Sequence, residues 1–170
     1  AQSTNDTFPT AMRLASLIMV QRLLPVIKHF QRTLEKKAKQ FAKVVKSGRT
    51  HLQDASPITL GQEFEGYAEI VSKHYDLINY SQKHLAELGI GGTAVGTGLN
   101  THIKYRALMA KNLSKVSGLK LKPTRNYFEA MQSMQPFMEV SSAINNFAID
   151  MTKITNDLRL LASGPTTGFA

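Results

Sequence analysis

The chain has 170 residues, no cysteine and a formal net charge of +9. Without cysteine it can form no disulfide framework, thiolate metal site or cysteine nucleophile. Its length suffices for one domain with a sizeable core. We predict no membrane span and no signal peptide, because no apolar run approaches about 18 residues and the start lacks a basic flank. The expected location is a reducing cytoplasm, with no membrane partner.

The positive charge is concentrated on the first predicted helix. Its basic residues are Lys28, Arg32, Lys36, Lys37, Lys39, Lys43, Lys46 and Arg49. Many of them lie away from the apolar stripe, as expected for a solvated face, and no nucleic-acid-binding motif accompanies them. We therefore expect no nucleic-acid partner, and some attraction for a dianionic substrate.

Two long helices are predicted in the first half of the chain. Apolar residues spaced three and then four positions apart predict a helix from about Phe8 to about Lys46. Gly48 is predicted to end this helix. Ser56 followed by Pro57 is typical of an N-cap and a first helical position, which predicts a second helix from about Ile58 to about Leu88.

The second half predicts a short helix and a third long one. The short helix runs from about Ile103 to about Ser117 and ends at Gly118. A heptad seam from Phe137 to Leu161 predicts the last helix, which Ser163-Gly164-Pro165 ends. Because no segment shows alternating strand periodicity, the predicted fold class is all-α, a bundle of about three long helices plus one short helix.

Two polar segments could carry chemistry. Residues 48–59 form a turn-rich island around His51, either as an ordinary interhelical loop or as a site between two rigid supports. Residues 2–10 are rich in hydroxyl and amide side chains and are followed by a helix. They could cap that helix, or bind a carboxylate together with its N-terminal amides.

Two further features have simpler interpretations. The Gly-rich loop, residues 89–100, has neither the lysine nor the preceding strand of a P-loop, so nucleotide binding is not expected. Its glycines instead predict close backbone packing near the site or between subunits. His74 interrupts an apolar seam, and we interpret it as a satisfied core or interhelix histidine rather than a catalytic group.

The polar segments resemble the fumarase/aspartase superfamily. The matching runs are Ser3-Thr4-Asn5-Asp6 with Pro9-Thr10, Gly48 to Phe64, Gly91 to Asn100, and Asn156 to Pro165, in the family's order. The resemblance covers essentially the whole chain. It implies the central helical domain of a homotetramer with active sites shared between three subunits, and an elimination across a Cα–Cβ bond that releases fumarate. No cofactor or metal is expected.

The resemblance also implies roles for five residues. Ser3, Thr4, Asn5 and Thr50 match substrate-binding positions, and His51 matches the family's catalytic histidine. That histidine acts as an acid in accounts of fumarase and chiefly as a carboxylate binder in accounts of aspartase. The expected partner molecule is a small dicarboxylate.

The substrate and the extent of the protein are separate expectations. Gln2-Ser3-Thr4-Asn5 is closer to aspartate ammonia-lyase, which we favour, whereas the Gly-rich loop and Asn126 to Ala130 are closer to class II fumarate hydratase, the alternative. A noncatalytic helical assembly module is a further alternative. We interpret residues 1–170 as a piece of a longer lyase without its N-terminal domain and its catalytic Gly-Ser-Ser loop, and expect it to be inactive alone.

Overall fold

The computed structural model describes residues 3–164, and their architecture is mainly helical. The helices are α1 (Thr4–Gln40), α2 (Leu60–Ser81), α3 (Tyr105–Ser117), α4 (Tyr127–Ala130) and α5 (Gln135–Leu161), with a 3₁₀ helix at Gln82–Ala86. The strands are β1 (Val45–Thr50), β2 (Gln53–Thr59), β3 (Glu87–Leu88) and β4 (Lys122–Pro123). Three long helices and a shorter α3 confirm the predicted all-α class. Pro165, predicted to follow the last helix, lies outside the described residues.

Helix α1 begins and ends earlier than predicted. The Ser3 hydroxyl oxygen accepts the Asn5 N–H at 3.2 Å, and the Asp6 carboxylate accepts the Ser3 N–H at 3.2 Å. This reciprocal capping starts the helix at Thr4 rather than near Phe8. Its apolar seam is confirmed, since it includes the buried residues Leu17, Val20, Leu24, Ile27 and Leu34.

Residues 45–59 form a β-hairpin, so the prediction of a loop between helices ending at Gly48 and starting at Ser56 was wrong. Strands β1 and β2 are antiparallel, with Val45 opposite Thr59 and Thr50 opposite Gln53. The register shifts between Ser47 and Arg49, which places Gly48 at an irregularity of β1. There a Cβ atom would lie 2.7 Å from the Ser56 carbonyl oxygen, which explains why glycine is needed.

The start of α2 shows why the helix boundary moved. Thr59 and Gln62 cap it reciprocally, because the Thr59 N–H donates to Gln62 Oε1 at 2.9 Å and the Gln62 N–H donates to Thr59 Oγ1 at 3.2 Å. The Leu60 N–H also donates to the Val44 carbonyl at 2.8 Å. The bond between Leu60 and Val44 joins the entry and the exit of the hairpin, and residues of β1 and β2 between them pair with each other.

The chain forms two compact units. Unit 1 consists of the chain up to Leu23 together with Ile78–Ser142, and unit 2 consists of Leu24–Leu77 together with the chain from Ala143. The core of unit 1 includes Leu17, Val20, Ile78, Leu85, Leu88, Ile90, Ala110, Ala130 and Val140. The core of unit 2 includes Leu24, Ile27, Leu34, Tyr67, Ala68, Val71, Ala143 and Ile154.

Helix α1 meets the length and composition of a membrane span, contrary to the sequence prediction. Among the described residues it is the one helix with a sufficiently apolar 18-residue window. A core helix of a soluble protein meets the same criteria, and a third of this window is buried within the structure. The finding therefore carries little weight on its own.

Candidate functional site

The predicted substrate-binding residues Ser3, Thr4 and Asn5 lie together at the start of α1, in unit 1. Thr4 and Asn5 are exposed, and the Asn5 amide Nδ2 donates to the Ala94 carbonyl at 2.7 Å. Both residues line a cleft of about 500 Å³, whose other walls are Phe8, Pro9, Ala94, Val95, Phe128, Met131 and Gln132. The cleft thus has a polar end at the helix N-terminus and largely apolar walls.

The Gly-rich loop forms part of this cleft and is anchored to α1. The Asp6 carboxylate is fully buried, and its Oδ2 accepts the N–H groups of Gly91 and Thr93, each at 2.9 Å. On the other side, Arg106 donates from Nε to the Gly91 carbonyl and from Nη2 to the Gly96 carbonyl, both at 3.1 Å.

Close packing of the Gly-rich loop confirms the sequence interpretation of its glycines. Gly96 has φ +104°, and a Cβ atom there would lie 2.8 Å from the Phe128 ring. Gly91 has φ +90°, and its Cβ atom would lie 2.7 Å from the Arg106 side chain. A larger residue at either position would displace a side chain and adopt a strained backbone.

Thr50 and His51 lie at the tip of the β-hairpin, in unit 2. Thr50 ends β1, and His51 and Leu52 form the turn with φ values of 51° and 60°. All three are exposed, and Arg49 supports the tip by donating to the Leu52 carbonyl at 3.1 Å and pairing with Asp54 at 3.3 Å. No side-chain hydrogen bond of His51 is present among the described residues, so its imidazole is available to a ligand.

The predicted site residues therefore form two groups. Ser3, Thr4 and Asn5 are consecutive and share one helix start, whereas Thr50 and His51 share one hairpin tip. The groups belong to different units. Thr4, Asn5, Thr50 and His51 are exposed, whereas Ser3 is half-buried.

His74 is a partly buried interhelix residue, in agreement with its interpretation. Its Nε2 lies 2.6 Å from the Asp150 carboxylate, and its ring packs 5.5 Å from that of Phe147. Asp150 lies 76 positions further along the chain, so sequence proximity could not identify this partner. The pair joins α2 to α5 within unit 2.

A second polar contact between α2 and α5 involves a tyrosine. The Tyr67 hydroxyl donates to Asp157 at 3.0 Å, and Lys153 pairs with the same carboxylate. Burial raises the pKa of Tyr67 above its ordinary value, and the hydrogen bond to Asp157 raises it further. Tyr67 therefore stays protonated and acts as a donor across the helix pair.

Arg13 is a buried residue that the sequence interpretation missed. Its guanidinium donates to the carbonyls of His84 at 2.7 Å and Ala130 at 3.2 Å, and burial lowers its pKa. Continuing the spacing of three and four from Leu17 toward the N-terminus reaches Arg13, Thr10 and Asp6, all of them buried. This spacing was the signal that could have identified them.

The described residues contain no group of three or more His, Cys, Asp or Glu side chains that could hold a metal ion. The five predicted site residues carry hydroxyls, one amide and one imidazole. Side chains of these types can donate hydrogen bonds, and an imidazole can also transfer a proton.

Fold and site together define a class: a protein of long helices with hydroxyl, amide and imidazole side chains at the start of α1 and at the tip of a β-hairpin. The profile of the family described as Lyase matches residues 1–170, and the chain belongs to this family. The resemblance of its motifs to the fumarase/aspartase superfamily is thereby confirmed.

Relatives with two different names match nearly the whole chain. A class II fumarate hydratase of Neisseria meningitidis is 48% identical over 169 residues, which are 99% of this chain and 37% of that protein. An aspartate ammonia-lyase of a Bacillus species is 45% identical over 170 residues, which are 100% of this chain and 36% of that protein. The chain thus spans little more than a third of the length of these relatives.

Solved structures agree in fold. A fumarate lyase:delta crystallin from Brucella melitensis bound to cobalt matches with a TM-score of 0.92 and 42% identity, covering 98% of this chain and 36% of that chain. A recombinant class II fumarase from Schistosoma mansoni matches with a TM-score of 0.92 and 35% identity, covering 98% and 38%.

Proposed function

We propose that the chain is the helical core of a lyase that eliminates a group across a Cα–Cβ bond and releases fumarate. The main support is sequence similarity: a fumarate hydratase and an aspartate ammonia-lyase are each at least 45% identical to this chain over 99% or more of its length. Both names describe eliminations that form fumarate. The proposed activity belongs to the complete protein, and residues 1–170 alone are expected to be inactive.

The geometry of the cleft suits the charge that such a reaction develops. A proton next to a carboxylate is weakly acidic, so its removal needs preorganised donors for the extra negative charge. The start of α1 contributes the partial positive charge of the helix dipole, although the backbone amides of Asn5, Asp6 and Thr7 already donate to Ser3. The hydroxyls of Ser3 and Thr4, and the amide of Asn5, add donors beside them.

His51 is proposed to bind a substrate carboxylate or to donate a proton to the leaving group, with Thr50 as a neighbouring donor. An imidazole is suited to both tasks near neutral pH. Its exposure and the absence of a side-chain hydrogen bond within the described residues support this proposal, because no internal partner has to be displaced. The base that removes the β-proton is assigned to a part of the complete protein outside this sequence.

The proposed substrate is L-aspartate, with L-malate as the alternative. The sequence Gln2-Ser3-Thr4-Asn5 is closer to that of aspartate ammonia-lyase, which favours aspartate. The 48% identity to a class II fumarate hydratase favours malate. Both substrates are small dicarboxylates and differ in the leaving group, which is ammonia in one case and water in the other.

The complete protein is proposed to be a cytoplasmic homotetramer with shared active sites. Large apolar side chains at the surface support self-association: Ile103 is 91% exposed, Val116 87% and Leu99 75%.

The decisive experiment measures fumarate formation by the complete protein with L-aspartate and, separately, L-malate. Turnover of aspartate alone establishes the ammonia-lyase, and turnover of malate alone establishes the hydratase. Turnover of neither overturns the proposal and favours a noncatalytic assembly module.

A His51→Ala variant tests the proposed catalytic residue. We expect kcat to fall by about 10²-fold or more, the usual contribution of general acid–base catalysis. His29→Ala is the matched control, because His29 is an exposed histidine of α1 outside the candidate site. An undiminished His51→Ala enzyme would show that another residue has this role.

A further inference from the structure

A buried carboxylate and a half-buried guanidinium hold the Gly-rich loop from opposite sides. Asp6 needs only the Ser3 N–H to complete the cap of α1, yet it also accepts two loop amides, those of Gly91 and Thr93. These extra contacts connect residues 85 and 87 positions apart. A buried carboxylate is costly unless hydrogen bonds compensate it, and here three backbone donors do so.

Arg106 complements this carboxylate. Its two donated bonds reach Gly91 and Gly96, and its guanidinium lies 3.8 Å from the centre of the Tyr127 ring. The planar fork of arginine directs N–H groups on two different nitrogens at two separate carbonyls, a fixed geometry that the single ammonium of lysine does not reproduce. Gly91 is therefore fixed through its N–H by Asp6 and through its carbonyl by Arg106.

The segment between these fixed points carries Ala94, whose carbonyl accepts the Asn5 amide at 2.7 Å. This bond determines the orientation of the Asn5 carboxamide, because Nδ2 is held by the loop. Nδ2 has two hydrogens, and the structure shows one of them donated to Ala94, so the second is available to a carboxylate. Asn5 also lines the cleft, so a ligand there meets a carboxamide in a defined orientation.

We propose that Asp6 and Arg106 are positioning residues for the substrate. They act through the Gly-rich loop, whose Ala94 carbonyl orients the carboxamide of Asn5. This inference rests on the proposed function of Asn5 in binding the dicarboxylate. Fixing a binding group before the substrate arrives avoids the cost of ordering it during the reaction.

The test is a double-mutant cycle of Asp6→Asn and Asn5→Ala in the complete protein. In the presence of Asn5, we expect Asp6→Asn to lower kcat/KM by about 10-fold to 100-fold, the usual effect of misplacing a binding group. In the Asn5→Ala background, the same change should lower kcat/KM less than about twofold, because the group it orients is gone. Asp76→Asn, an exposed aspartate of α2 without a polar contact among the described residues, is the control and should keep wild-type kinetics.

Equal losses in the two backgrounds would overturn the proposal, since a residue needed only for folding acts independently of Asn5. If light scattering shows that Asp6→Asn fails to assemble like the wild type, Arg106→Lys replaces it in the cycle with the same expected coupling. This variant keeps the charge and loses the fork.

Two readouts separate this proposal from the proposed function. A wild-type protein that turns over neither aspartate nor malate would refute the function, and with it the role in substrate binding. A wild-type protein that is active, with an additive cycle, would refute only the positioning role. Amide hydrogen exchange at Gly91 and Thr93 provides a test without turnover: faster exchange in Asp6→Asn is expected, and unchanged exchange contradicts the clamp.

Discussion

Single buried polar side chains connect distant parts of the chain. Asp6, Arg13 and Tyr67 are each almost inaccessible to solvent, and each bonds to groups more than 70 positions away. Buried polar groups must have partners, so these residues restrict the packing geometry more than an apolar residue would. Sequence spacing can show that such a residue is buried, whereas its partner depends on the fold.

Tyr67→Phe is expected to weaken the helix pair by about 1–2 kcal/mol at neutral pH, because it removes a hydrogen bond to a charged acceptor. The folded-state pKa of Tyr67 is raised above the unfolded value of about 10. Its contribution is therefore fully present below about pH 10 and is lost as pH rises toward the folded-state pKa. The wild type should lose stability above pH 10 more steeply than the variant, measured by urea unfolding at a series of pH values.

Tyr80→Phe is the matched control for this pH series. Tyr80 is an exposed tyrosine of the same helix, and its variant should follow the wild-type curve. Parallel curves for Tyr67→Phe and wild type above pH 10 would contradict the assigned hydrogen bond.

At the scale of elements, the hairpin is the main departure from the sequence prediction. Its turn is His51-Leu52, without the Asn-Gly or Asp-Gly pair that usually identifies a two-residue turn. Ser56-Pro57 and Thr59 with Gln62 both resemble helix starts, and the second is used because it lies where Leu60 bonds to Val44. Both sequence patterns are typical of a helix start. The hydrogen bond from Leu60 to Val44, a residue outside both patterns, determines which of them begins α2.

Leu52→Gly tests this turn. Leu52 has φ 60°, a left-handed conformation that costs a residue with a Cβ atom about 1 kcal/mol relative to glycine. We expect Leu52→Gly to leave the hairpin at least as stable, as judged by amide hydrogen exchange across β1 and β2. Val45→Gly, at an exposed position of β1 that pairs with Thr59, is the control and should destabilise the hairpin by at least about 0.5–1 kcal/mol. Equal destabilisation by both changes would contradict the positive φ.

At the scale of the whole molecule, charge and apolar surface have different consequences. The net charge of +9 attracts anions in general, an effect that salt weakens. The exposed apolar side chains provide surface for association that salt does not weaken.

The complete protein is accordingly expected to remain tetrameric in about 1 M salt, where the Debye length is only about 3 Å. Light scattering after size-exclusion chromatography at low and high salt measures this. Dissociation by salt would show that charges hold the subunits together, and a monomer at both concentrations would refute the proposed assembly.

The sequence by itself determined the helical class, the buried seams of the long helices and the family, because hydrophobic periodicity and the residues of a motif are local properties of the chain. The same local information placed Ser3, Thr4, Asn5, Thr50 and His51 in exposed segments at the ends of elements. It did not distinguish an interhelical loop from a hairpin.

Only the tertiary structure decided which distant groups meet. The bonds from Asp6 to Gly91, from Asn5 to Ala94 and between His74 and Asp150 each join residues 76 to 89 positions apart. No periodicity within one segment specifies such pairs. They form because packing of the helices and loops brings these distant groups within bonding distance, and the buried carboxylate of Asp6 in particular must have partners.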